Sequence, residues 1–113
     1  MPAYAIGCLT NVRLGPGVVA YLRGIDATLA PFAGRFLIHG GPPEVKEGDW
    51  SATLIVIEFP DLAAARVWYD SPAYQAILHH RTDNADGAIF LIDGVEQPHL
   101  ATDVLPRELL EEA

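Results

Sequence analysis

Two short extended runs separated by a polar loop limit the folds open to this chain more than any other feature. Arg35 to His39 (RFLIH) and Thr53 to Phe59 (TLIVIEF) read as strands, being rich in β-branched and aromatic residues and bounded by turn-forming glycine and proline. Successive side chains of a strand point to opposite sides, so Leu54, Val56 and Glu58 fall on one face and Thr53, Ile55, Ile57 and Phe59 on the other. The same alternation sends Arg35, Leu37 and His39 one way and Phe36 and Ile38 the other. An antiparallel pairing that puts Phe36 and Ile38 on the face of Ile57 and Ile55 sets Arg35 opposite Glu58, so that each charge answers the other. On this reading Arg35, His39 and Glu58 share one pleated face, the candidate working surface.

The rest of the chain supplies the partners of that pair. Ala3 to Asn11 alternates Tyr4, Ile6, Cys8 and Thr10 with Ala5, Gly7 and Leu9, the period of another strand. Leu14 to Gly17 is a turn, after which Val18, Tyr21, Leu22, Ile25 and Leu29 recur at helical spacing up to Pro31. Gly24 weakens this helix by about 1 kcal/mol relative to alanine. A second helix starts after Pro60 with Asp61 as N-cap. Ser71-Pro72 interrupts it and restarts it, since serine caps well and proline is tolerated at the first helical position. Tyr74, Ile77, Leu78 and Arg81 then mark one face at i, i+3, i+4 and i+7. Asn84 to Gly87 turns the chain into a last strand, Ala88 to Asp93, and Pro106 to Ala113 suits one or two helical turns.

The order β, α, β, β, α, β predicts an α+β fold, a four-stranded antiparallel sheet with both helices on one face, the ferredoxin-like arrangement. The other face then lacks a cover, and a second copy of the sheet is the economical one, so a homodimer is expected. At 113 residues one domain accounts for the chain, with residues 1–95 as the folded unit and 96–113 as an acidic C-terminal extension.

The net charge of −8 repels phosphate backbones and anionic lipid, which disfavours nucleic acid and membrane surfaces as partners. A single cysteine, Cys8, allows no intrachain disulfide and reads as a small buried hydrophobe. No apolar run reaches the roughly 20 residues of a membrane span, and the N-terminus lacks the pattern of a signal peptide, so a cytoplasmic location is expected. No nucleotide-binding loop, paired CxxC or Ser-His-Asp pattern is present, so no cofactor is expected. No metal is expected either: His79 and His80 point about 100° apart on a helix, and only one of them can share a face with Asp83.

Several residues taken together, Arg35-Phe36-Leu37-x-x-Gly40-Gly41, Glu44, Glu47-Gly48-Asp49-Trp50, Ile57-Glu58-Phe59-Pro60, Ala64-Ala65 and Trp68-Tyr69-x-Ser71-x-x-Tyr74, with Tyr4 at the first strand, carry a resemblance. The chain from Pro2 to Val95 resembles the DUF1330 family, a branch of the dimeric α+β barrel superfamily. The resemblance implies the fold and the face-to-face dimer, and it supplies no agreed reaction. Relatives in the wider superfamily include cofactor-free monooxygenases, isomerases and binding proteins, so the chemistry is not fixed by fold. This chain departs from the family pattern at His39, often a second arginine, and at Cys8, often polar.

Each candidate group has two readings. Arg35 and Glu58 suit an anion clamp and a proton acceptor, with Arg35 as substrate-binding and catalytic residue, or equally a structural cross-strand ion pair. His39 is a candidate base because histidine is the side chain whose charge changes nearest neutral pH, or else an ordinary surface residue. Gly40 permits close approach of a ligand or simply a tight turn. Trp50 is either a lid or a pin for the long loop, and Tyr69 and Tyr74 either reach a ligand or anchor the second helix by packing. The leading expectation is a small-molecule-binding protein with a pocket lined by Arg35, His39, Glu58 and Tyr74. Its chemistry would be cofactor-free proton transfer on a carbonyl- or carboxylate-bearing metabolite. The alternative is a non-catalytic dimeric binding or accessory protein with structural Arg-Glu pairs.

Overall fold

The structure, a computed structural model, describes residues 1–112. Four strands, β1 (Ala3–Thr10), β2 (Arg35–His39), β3 (Thr53–Phe59) and β4 (Asp86–Asp93), form one antiparallel sheet in the order β2-β3-β1-β4. Helices α1 (Pro16–Leu29), α2 (Leu62–Asp70) and α3 (Pro72–Thr82) fill the two crossovers. The predicted α+β architecture is therefore present, with the last strand beginning two residues earlier than expected.

Local chemistry sets the helix limits. Pro16 occupies the first turn of α1, where its missing N–H costs nothing. The Asp61 carboxylate accepts from the Ala64 N–H at 2.7 Å, and the Ser71 hydroxyl from the Tyr74 N–H at 3.2 Å, so both expected N-caps are formed. Ser71 also ends α2, its extended backbone separating the two helices that the Ser-Pro pair was expected to divide. Gly24 lets α1 approach α3: a side chain there would sit 3.3 Å from Ile77 Cγ2. The helical propensity lost at that glycine is offset by closer packing.

The core lies between the sheet and the three helices, around Ala5, Ile25, Leu29, Ile57, Phe59, Ala65, Trp68 and Tyr74. Trp68 is the hinge of this packing. Its ring lies 5.2 Å from that of Phe59 and 4.2 Å from that of Tyr74, and its indole N–H donates to Thr28 Oγ1 at 3.0 Å. The opposite face of the sheet carries Ile6, Val56, Ile38, Phe90 and Ile92, with the last three among the exposed large hydrophobic residues. Beyond the sheet, the tail holds a 3-10 turn at Ala101–Val104 and helix α4 (Arg107–Glu112); Ala113 of the predicted helical turns lies outside the described residues. Among the described residues no helix is long and apolar enough to cross a membrane.

One local departure matters most. Arg35 pairs with Glu58 and Phe36 with Ile57, but Ile38 then pairs with Val56 and His39 with Ile55. Leu37 is the extra residue of a β-bulge, which advances β2 by one position and exchanges the faces of everything after it. The expected common face of Arg35, His39 and Glu58 is thereby corrected: His39 lies on the helix-covered side and the ion pair on the other. Ile38, expected on the core side, faces outward.

Candidate functional site

Small residues on the central strand create space beneath the helices. Ala3, Ala5 and Gly7 alternate along the inner face of β1 and are buried, and at Gly7 a Cβ would already stand 3.1 Å from Ile89 Cδ1 and 3.5 Å from Ile55 Cβ. With no side chain at Gly7, the sheet and the helices α1 and α3 enclose a cavity of about 460 Å³. Its walls are mainly aliphatic, from Val18, Leu22 and Ile25 of α1 and Ile55, Ile57 and Ile89 of the sheet.

The polar groups of this cavity are few and placed by different elements. Tyr21 from α1 and Tyr74 from α3 bring their hydroxyls to 2.7 Å, with their rings edge to face at 6.2 Å. Arg81, two helical turns beyond Tyr74, lies over the Tyr21 ring at 5.9 Å. His39 reaches the cavity from the edge strand, its ring stacked on Phe36 at 4.2 Å, and Gly40 follows it with φ +76°, the left-handed backbone that ends the strand. Burial, then the neighbouring Tyr74 and the hydrogen bond to it, push the Tyr21 phenol far above the ordinary range, against the opposing pull of Arg81. Burial opposes the charge on Arg81, but the adjacent Tyr74 and Tyr21 outweigh it and raise its pKa, so the guanidinium stays charged.

The expected site residues divide accordingly. His39, Gly40 and Tyr74 line the cavity. Arg35 and Glu58 do not: they pair at 2.7 Å across the outer face of β2 and β3, with the Arg35 side chain 70 % exposed. An exposed pair of this kind contributes about 0–1 kcal/mol. Trp50 is 45 % exposed and does not line the cavity. Tyr69 packs behind the site, 5.4 Å from the Tyr74 ring and 6.1 Å from Trp68. Tyr21 and Arg81 were not singled out as site residues in the sequence. Arg81 had a readable signal, since it stands on the same helical face as Tyr74; Tyr21 stood only in the apolar stripe of its helix.

A family model described as a domain of unknown function, DUF1330, matches residues 2–95. The chain belongs to the DUF1330 family. No curated protein matches the sequence. A crystal structure of RPA0582, a protein of unknown function from Rhodopseudomonas palustris, superposes with a TM-score of 0.60 at 17 % identity, covering 84 % of this chain and 83 % of that one. The methylated form of RPA0582 gives 0.62 at 17 % identity, over 87 % and 84 % of the two chains. At this identity the likeness extends to the fold, and within the DUF1330 domain the cavity must speak for itself.

Proposed function

We propose that this DUF1330 protein binds a small carbonyl- or carboxylate-bearing molecule in the cavity between sheet and helices. The observation that carries the reading is a mostly aliphatic space of about 460 Å³ on which a few polar groups, Tyr21, Tyr74, Arg81 and His39, converge. Cavities of a few hundred cubic ångströms with sparse, placed polar groups are the usual form of a small-molecule site. Cofactor-free proton transfer is the chemistry this wall supports best, with His39 as the group that moves the proton and the phenols as hydrogen-bond donors. Glu58, on the far side of the sheet, has no place in that step.

The test is a thermal-shift screen of small carbonyl and carboxylate compounds on wild type and on Gly7→Leu. The new side chain is directed into the cavity past Ile89 Cδ1, the free end of a flexible side chain that must give by a few tenths of an ångström. A ligand at about 100 times its Kd stabilises wild type by about 2.7 kcal/mol and leaves Gly7→Leu unmoved. Equal shifts in both proteins, or none in wild type, would overturn the reading.

We also propose that a second copy covers the outer face of the sheet. Ile38, Phe90 and Ile92 are each exposed by more than 40 % on one contiguous side, beside the Arg35–Glu58 pair that a symmetric partner would enclose. Sedimentation should give a dimer for wild type and a folded monomer for Phe90→Asp, which sets a carboxylate on that apolar surface. A monomeric wild type at tens of micromolar sinks the proposal.

A further inference from the structure

The cavity's polar end has more donors than acceptors. Tyr21 and Tyr74 share one hydrogen bond between two hydroxyls, so whichever phenol donates, the other keeps a proton with no acceptor among the described residues. The buried Nε of Arg81 is likewise without a hydrogen-bond partner among them. Among the described residues Arg81 forms no ion pair, and no aspartate or glutamate lines the cavity. Arg81 is only partly buried, but its Nε is out of reach of water and, like the spare phenol proton beside it, has no acceptor; such donors lose their water and regain nothing. An oxygen anion entering the cavity would supply the missing acceptor.

We propose that the ligand is an amphiphilic monocarboxylate whose head is held by Arg81 and by the free hydroxyl of the Tyr21–Tyr74 pair, with its apolar body against the aliphatic wall. The inference rests on the cavity being a binding site and adds which of the two substrate classes it takes and which residues decide. A carbonyl oxygen would engage the phenol but leave the cation unpaired, whereas a carboxylate has lone pairs for both. The wall fixes the rest of the molecule. Val18, Leu22, Ile25, Ile55 and Ile89 offer nothing polar to a second charged group, so dicarboxylates and sugar phosphates are excluded by desolvation.

The deciding experiment is calorimetric titration with phenylacetate and octanoate and with their neutral counterparts, 2-phenylethanol and octanol. Wild type should bind each acid at least about tenfold tighter than the matched alcohol, the worth of one charge-assisted hydrogen bond. Arg81→Gln should abolish that preference while still binding the alcohol, and Tyr21→Phe should reduce it with Arg81 in place. Equal affinity for acid and alcohol in wild type, or an acid preference that survives Arg81→Gln, would overturn the carboxylate proposal and leave the binding site standing. Failure of all four probes to bind would overturn both. Phenylalanine at position 21 preserves the ring packing against Tyr74 and Arg81, so a loss in Tyr21→Phe reads the hydroxyl and not the fold.

Discussion

Trp68→Ala is expected to lose about 3–5 kcal/mol, the range for deleting a fully buried tryptophan from a core. Trp68 is only 1 % exposed and stands where α2, α1, α3 and β3 meet, touching Phe59, Tyr69 and Tyr74 and donating to Thr28. The loss amounts to a fifth or more of the roughly 5–15 kcal/mol that stabilises an ordinary domain. Two separate terms contribute. The smaller concerns the indole N–H, whose acceptor Thr28 Oγ1 itself donates to the Ile25 carbonyl at 2.7 Å, so the threonine keeps a partner when the tryptophan is gone. The larger is the void, because elements of four different directions cannot all collapse into it. Urea unfolding of wild type and Trp68→Ala measures the sum, and a loss below about 1 kcal/mol would show that Trp68 is not central to the packing. The site should suffer with the core, since Tyr74, stacked on Trp68, places half of the phenol pair.

What the sequence made legible follows from how regular each segment is. TLIVIEF has no irregularity, and every face assigned from its alternation is the face it occupies. The caps at Asp61 and Ser71 were readable because a local side-chain-to-backbone bond depends on a few adjacent residues only. β2 was misread for an equally physical reason. Phe36, Leu37 and Ile38 are all apolar, so alternation has no contrast by which to show that Leu37 is the inserted residue, and one inserted residue moves His39 through the sheet.

The site was less legible than the fold because its geometry is set between elements. Periodicity on α1 and on α3 gives each helix a buried stripe, but the meeting of Tyr21 with Tyr74, 53 residues apart, depends on how the two helices are aligned. That alignment is controlled by the close approach at Gly24 and Ile77. Gly24 carried a visible signal, read as a weak point in a helix when it marks a contact. Gly7 is similar: in a strand it looks like a loss of β-propensity, and in the folded protein it is the vacancy that the cavity is made of.

Gly87→Ala carries the second large effect, through backbone and not through packing. Gly87 sits in β4 opposite Leu9 with φ +123°, a conformation that residues with a Cβ rarely adopt. A Cβ built there runs into the carbonyl oxygen of Cys8 and stands 3.0 Å from Leu9 Cα, atoms of the central strand that cannot move aside as a side-chain end can. Conformational strain of about 1–3 kcal/mol and overpacking of about 1–3 kcal/mol act together, so a loss of about 2–6 kcal/mol is expected. It should be felt first between β1 and β4, because β4 is an edge strand held to the sheet by β1 alone. Amide hydrogen exchange should show protection falling along β4 and its β1 partners, with the pair β2–β3 less affected. Gly41→Ala is the matched control, with open space around the new methyl and no positive φ to relieve, and should be neutral or stabilise by up to about 1 kcal/mol. If the two variants unfold at the same denaturant concentration, the glycine at 87 is not required by the strand pairing. A difference confined to β1 and β4 would place the requirement beside Gly7 and Ile89, so the same strand pair that needs a glycine to close also supplies the floor of the cavity.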